Sequence, residues 1–473
     1  MRTLVWFRAD LRTADNPALY DACRASTGGV VGVFVACPGQ WRAHDWGAAK
    51  VDFVLRHVGV LAATQRGLNI PLHILTVDRF AGAPAALLEL ARAEQCDALA
   101  FNREYEVNER ARDAAVTSAA TAAGLDVRSW DDQTVLAPEH VRTGDGGFYT
   151  VFSPFRRRWI AMYRQGPVVP LPAPRRHGAL PAGQPATLPE LPDFPGIAHP
   201  DLWPAGETAA ARRLDAFIRK RIAAYDRRRD FPADAATSEL SPYLAAGVIS
   251  ARQCLAAALA ANDGRLDSGK AGVVAWISEL IWREFYRHVL VGFPRVCRGR
   301  AFKADTEALP WSADEEAFAA WQAGRTGVPL VDAGMRQLTA TGWIHNRVRM
   351  VTAMYLTKDL FIDWRWGEAH FMRHLVDGDF ASNNGGWQWS ASTGTDAAPY
   401  FRIFNPVSQS RRFDPEGDYI RRWVPELAGL DTERIHEPYA RGADAGALGY
   451  PRPLVEHAVA RQRVLAAFGA LRR

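Results

Sequence analysis

Through the first 131 residues the apolar positions follow two rhythms. Short apolar or alternating runs, TLVWF (3–7), VVGVFVA (30–36), PLHILTV (71–77), DALAFN (97–102) and DVRSW (126–130), have the character of strands. Between them, segments rich in Ala, Leu, Glu and Arg at 46–66, 82–95 and 105–123 repeat with a helical period. This alternation predicts an α/β domain with a parallel sheet covered by helices. After residue 131 the pattern dissolves. A GDGG turn (144–147) leads to FSPFRRRW (152–159) and then to a Pro-rich stretch from Gly166 to Pro200. Prolines this dense exclude helix and central strand, so a connector lying over the surface is expected. From residue 201 the helical period dominates, with helices predicted at 206–225, 241–245, 250–262, 270–291, 314–323, 329–340, 344–358, 365–375 and 416–423, and a last helical run in VEHAVARQRVLAAF. The expected organisation is an α/β domain over 1–131, a connector over 132–200 and an all-α domain over 201–473, with no internal repeat.

Composition adds less. A chain of 473 residues is too long for one core. Its 48% hydrophobic and 23% charged residues belong to a soluble globular protein. A net charge of +5 and a pI near 9.0 permit an acidic partner without requiring one. Five scattered cysteines without a CxxC suggest neither a disulfide framework nor a metal site, and a reducing cytoplasm is the simple reading. No signal peptide and no membrane-spanning run is evident. Sixteen tryptophans are many, and redox chemistry or base stacking consumes them as readily as a core does.

Candidate chemistry concentrates in DGDFASNNGGWQWSASTGTDAAPYFRIFNP (377–406). Asp377 and Asp379 are followed by Asn383, Asn384, Gly385, Gly386, Trp387 and Trp389. A polar loop running into an aromatic helix start suits a large heterocycle with a hydroxylated tail. WISELIWREFYRHVL (276–290) places Glu279 and Trp282 on one helical face and Glu279 and Arg283 at pairing distance in sequence. A salt-bridged amphipathic helix explains this, and so does a cavity wall that addresses a base. Arg347 and Arg349 point to different sides of their helix, one available to a phosphate and the other to a buried acid. His345 lacks a nucleophile or acid partner and is expected to be structural. Thr237, Ser238 and Ser241 beside Leu240 are candidates for a helix cap or an anion site. No GxGxxG or GxxxxGK[ST] follows the first strand.

These stretches together resemble the DNA photolyase/cryptochrome family over nearly the whole chain. The resemblance runs through VWFRADLRTADNPAL (5–19), EVNER (106–110), TSELSPYL (237–244), ELIWREFYRH (279–288), VDAGMRQL (331–338), TGWIHNRVRM (341–350) and residues 377–406. It is nearest to the bacterial folate-type (class I) cyclobutane pyrimidine dimer photolyases. It implies FAD held in a folded conformation by Tyr225, Thr237, Ser238, Leu240, Ser241, Trp276, Glu279, Arg283, Asn346, Arg349, Asp377 and Asp379, with Asn383 at flavin N5. It implies an electron relay through Trp387, Trp364 and Trp311. Arg156, Arg229, Arg347 and Arg402 match positions at the DNA backbone. Glu279, Trp282 and Met350 match the pocket of a flipped-out lesion, and Asn346 and Trp389 are further DNA-binding positions. His44, Asn108, Glu109 and Cys297 match the site of a 5,10-methenyltetrahydrofolate antenna, with a deazaflavin as the alternative. The implied activity is light-driven splitting of cyclobutane dimers by a cytoplasmic monomer that joins the nucleoid when bound to DNA.

Two rivals come from the same family. A (6-4) photolyase would carry histidines where this chain has Asn346 and Met350. A plant-type light receptor commonly carries Asp where this chain has Asn383, and many receptors add a long disordered tail.

Overall fold

The computed structural model describes all residues except 182, 192–193, 441–444 and 472–473. Five strands, β1 (Thr3–Phe7), β2 (Val30–Ala36), β3 (Leu72–Thr76), β4 (Ala98–Asn102) and β5 (Asp126–Trp130), form one sheet of order β3-β2-β1-β4-β5. Every pairing is parallel, with Thr3 opposite Val30 on one side and Ala98 on the other. β1, β2 and β4 are buried along their whole length. Helices cover both faces of such a sheet, so its central strands are continuous apolar runs. The crossovers include the expected helices, at Ala48–Gly67, Ala83–Ala93 and Val107–Ala122. A further helix, Pro17–Ala25, was not expected. Asn16 caps it by accepting from the Leu19 N–H at 3.1 Å, and Pro17 starts it without needing a donor.

The chain divides into two compact units: Met1–Ala223 with Ser238–Cys297, and Ala224–Thr237 with Arg298–Arg473. Within the first, a buried ion network explains why the later segment belongs with the N-terminal half. Arg12 meets Asp132 at 2.5 Å, and Arg252 meets Asp132 at 2.5 Å and Asp15 at 2.9 Å. Loss of any one of these four side chains would strand a buried charge, so the arrangement fixes the helix Ala251–Ala261 against the loop after β1.

In the second unit the helices Pro329–Thr341, Asn346–Met354, Trp364–His374 and Phe380–Ala391 surround an aromatic core containing Trp321, Trp364, Trp387 and Tyr419. Three expectations are corrected. The predicted helix 206–225 ends at Lys220, and Tyr225–Arg228 is a separate short helix. The predicted helix 344–358 is α-helical only to Met354, and Tyr355–Asp359 is a π turn. That wider turn carries Lys358 inward, where its Nζ donates to Ala391 O and Ser392 Oγ, both at 2.9 Å. Where a polar loop running into an aromatic helix start was expected, the helix already begins at Phe380 and includes the amide and glycine positions. Among the described residues no helix is long and apolar enough to cross a membrane.

Candidate functional site

In the first unit the helix Ala271–Gly292 carries four of the expected side chains, Trp276, Glu279, Trp282 and Arg283. It is pinned by Glu284, whose buried carboxylate accepts from Val135 N at 2.5 Å, Leu136 N at 3.3 Å and Trp159 Nε1 at 2.6 Å. Burial raises the pKa of this carboxyl above its ordinary value. Arg283 donates to the carbonyls of Gln133 and Leu244. Trp276 is buried against Phe217, with ring centroids 5.0 Å apart. Glu279 and Trp282 are half-buried. One face of Trp282 is stacked on Phe152 at 3.6 Å with an interplanar angle of 9°, so a second aromatic backs the indole. Phe152 opens the helix Phe152–Gln165, which also holds Arg156, whose Nε donates to Ser278 Oγ at 3.0 Å. Ser238, Leu240 and Ser241 belong to the same unit. The cap residue of the helix Ser241–Ala245 is Leu240, whose side chain makes no capping bond, and Ser241 is the first residue of that helix.

The second unit holds Tyr225, Thr237, Asn346, Arg349, Asp377, Asp379 and Asn383. Asp379 caps the helix Phe380–Ala391 by accepting from Ser382 N at 2.9 Å, which is why the stretch is helical despite its amides and glycines. Arg349 grips the buried Asp377, its Nη2 lying 2.8 and 3.1 Å from the two carboxylate oxygens. Arg347 turns the other way and pairs with Asp230 at 3.0 Å. His345 caps the helix Asn346–Met354, its Nδ1 accepting from Arg347 N at 3.2 Å. Burial pushes its pKa down to about 4, in keeping with a neutral structural imidazole. Asn346 is exposed, with its amide 3.9 Å from Met350 Sδ. Tyr225 is buried under the Arg229 guanidinium, and Arg402 is exposed. Trp389 is half-buried near Phe404. Trp364 and Trp387 are buried in the aromatic core, and Trp311 packs on its edge with its ring 5.0 Å from Phe361.

Asn383 tests the fit of a reduced flavin. It is 9% exposed, and its Nδ2 donates to Glu368 O at 3.0 Å. Its Oδ1 accepts from none of the described residues and is not fully buried, so it stands open to an incoming N–H donor. The neighbouring Asn384 is committed on both sides, to Glu368 Oε1 at 3.0 Å and to Gln388 Nε2 at 2.9 Å.

A second group lies wholly in the first unit. His44 Nδ1 is 3.4 Å from Glu109 Oε1, and His44 Nε2 is 2.9 Å from the Asn108 amide and 3.0 Å from that of Gln40. Cys297 faces the backbone of Val107. Glu109 Oε2 is buried without a partner among the described residues. Burial and then the charges of Glu106 and Glu104 push the Glu109 pKa up to about 8, while burial pushes that of His44 down to about 4. Gln40 and Phe80, whose ring meets His44 edge-on at 5.7 Å, were not anticipated. Nothing in their local sequence marks them.

Residues 3–175 match the family described as DNA photolyase, and residues 276–470 match the FAD binding domain of DNA photolyase. The deoxyribodipyrimidine photo-lyase of Salmonella typhimurium is 45% identical over 474 residues, covering 99% of each chain. That of Escherichia coli is 44% identical over 473 residues, again with 99% of each covered. Among solved structures, a class III photolyase from Agrobacterium tumefaciens superposes with a TM-score of 0.82 at 36% identity, covering 100% of this chain and 98% of that one. A Synechocystis cryptochrome gives 0.85 at 29% identity, covering 99% of both. With its parallel sheet, its helical FAD-binding half and relatives matched end to end, the chain belongs to the DNA photolyase family.

Proposed function

We propose that this protein is a deoxyribodipyrimidine photo-lyase of the folate-using bacterial kind, a light-driven repair enzyme that splits cyclobutane pyrimidine dimers. The observation that carries the reading is Asn383, whose amide oxygen is an acceptor suited to the N5–H of a reduced isoalloxazine. Reduced FAD, when bound and excited, supplies one electron to the dimer and regains it once both ring bonds have opened. The protein's part is to hold, orient and exclude water. Asp377, held by Arg349, and Asp379, used as a helix cap, are rigid acceptors for the polar parts of the cofactor. Tyr225, Thr237, Ser238, Leu240, Ser241, Trp276, Glu279, Arg283 and Asn346 complete its binding set.

Glu279, when its carboxyl carries a proton, donates to a carbonyl oxygen of the flipped dimer, and Trp282, backed by Phe152, covers its apolar side. Met350 adds an adaptable apolar contact. Arg156, Arg229, Arg347 and Arg402 bind flanking phosphates without reading sequence. For Arg347 this means exchanging Asp230 for a phosphate. Trp311, Trp364 and Trp387 relay electrons that keep the cofactor reduced. His44, Asn108, Glu109 and Cys297 hold a 5,10-methenyltetrahydrofolate antenna, with Glu109 accepting from the pterin ring. The enzyme acts as a monomer in the cytoplasm. An absorption spectrum of the purified protein tests this reading. Flavin bands with an additional near-UV band are expected, and a spectrum without flavin after reconstitution with FAD would overturn it.

A further inference from the structure

Glycine in the middle of a helix costs stability relative to alanine, so Gly367, within the helix Trp364–His374, calls for a packing reason. The reason is the indole of Trp387. A β-carbon at residue 367 would stand 2.7 Å from Leu356 Cδ2 and nearer still to Cη2 and Cζ3 of Trp387. The indole has no room to yield. It is 2% exposed, Phe371 meets it edge-on at 4.9 Å, and Trp321 meets it edge-on at 6.0 Å. Gly367 and Phe371 lie on the helix that also begins with Trp364, so one helix both carries one tryptophan and seats the other.

We propose that Gly367 is a positioning residue for the electron relay, its bare backbone letting Trp387 seat directly against the helix that carries Trp364. This rests on the reading of Trp387 and Trp364 as relay members. Electron passage depends on close, fixed ring placement, and a misplacement of about 1 Å in a reacting group can cost up to about 100-fold in rate. A β-carbon at residue 367 would meet two ring atoms of Trp387 most closely and the flexible end of Leu356 next, so the effect on the relay travels through Trp387.

The test combines Gly367→Ala and Trp387→Phe, singly and together, in the FAD-loaded full chain. The readouts are the rate of light-driven flavin reduction per bound FAD and the thermal unfolding temperature. Gly367→Ala should slow photoreduction by about tenfold or more and lower the unfolding temperature, although alanine is the better helix former. Trp387→Phe removes the crowded outer ring and leaves only the flexible end of Leu356 to give way, so in that background Gly367→Ala should lower the unfolding temperature by much less. If Gly367→Ala fails to fold alone, folding of the double variant supports the packing argument, and its failure overturns it. Equal losses of unfolding temperature in both backgrounds would overturn the inference, as would photoreduction at the parent rate in Gly367→Ala while Trp387→Phe is impaired. Normal photoreduction in Trp387→Phe would instead overturn the relay reading, leaving the seat of Trp387 to be judged by unfolding temperature alone.

Discussion

The ion pair between Arg349 and Asp377 is a demanding place to perturb the proposed cofactor pocket. Arg349 spends Nη2 on both carboxylate oxygens and Nε on Ile344 O at 2.8 Å, so the guanidinium is fixed at two points. The Asp377 side chain is 2% exposed and that of Arg349 is 24% exposed. Arg349→Met keeps the aliphatic stem and removes the charge, leaving a buried carboxylate without its partner. Removing one member of a buried pair costs about 3–5 kcal/mol, and the partial exposure of Arg349 places this case at about 3 kcal/mol. At roughly 2–4 °C per kcal/mol for a domain of this size class, the unfolding temperature should fall by about 6–12 °C. Asp377→Asn should cost less, because the guanidinium it abandons is still partly in water. The assay is thermal unfolding followed by circular dichroism on FAD-stripped and FAD-loaded protein. The loaded form should lose more, since Asp377 is also a proposed cofactor ligand and its displacement weakens binding linked to folding. Unfolding of Arg349→Met within about 2 °C of the parent, less than 1 kcal/mol, would refute the reasoning. So would a larger loss for Asp377→Asn than for Arg349→Met.

Substitutions at three other residues carry further expectations. Glu109 keeps its proton in the folded, antenna-free protein to about pH 8, whereas the unfolded carboxyl ionises from about 4.5. The stability it contributes is present in full below about 4.5 and lost as the pH rises to about 8. Glu109→Gln should therefore gain unfolding temperature over the parent progressively across that window, and a pH-independent difference would contradict this assignment. Glu109→Ala should also lose the near-UV antenna band after purification with added folate. Trp364→Phe should stall light-driven flavin reduction while protein reduced chemically beforehand still repairs, as followed by flavin absorbance and dimer loss. Trp282→Ala should weaken binding of dimer-containing DNA by about 1–3 kcal/mol, measured by titration at fixed salt, with undamaged DNA little affected.

What could be seen in the sequence follows from where the physics is local. The strands β1 and β2 were visible because burial on both faces leaves unbroken apolar runs, and most helix ends lay within a few residues of their predicted places. The helix Phe380–Ala391 shows no apolar stripe because its buried side includes Asn383, Asn384, Gln388 and Ser390 alongside Ala381, Trp387 and Ala391, so polar residues fill positions where a core-facing helix would be apolar. Asp379, its cap, was read only as a ligand for the cofactor. The π turn at Tyr355–Asp359 depends on tertiary anchors for Lys358 that no local pattern encodes. At the site, the opposite directions of Arg347 and Arg349 followed from helical spacing alone, and the structure gives each its acid. Phe152 behind Trp282 and Glu284 against Val135 are meetings between distant segments, and a single sequence carries no signal for them.

The most direct measurement is to illuminate the chemically reduced, FAD-loaded protein with DNA carrying one defined lesion, either a cyclobutane thymine dimer or a (6-4) product. Glu279 and Trp282 share the wall proposed to receive the lesion, and Asn346 and Met350 stand where a (6-4) enzyme would need proton-donating histidines. Light-dependent restoration of the cyclobutane dimer, with the (6-4) lesion untouched, is the expected result. Restoration of the (6-4) substrate, or no light-dependent loss of the cyclobutane dimer, would contradict it.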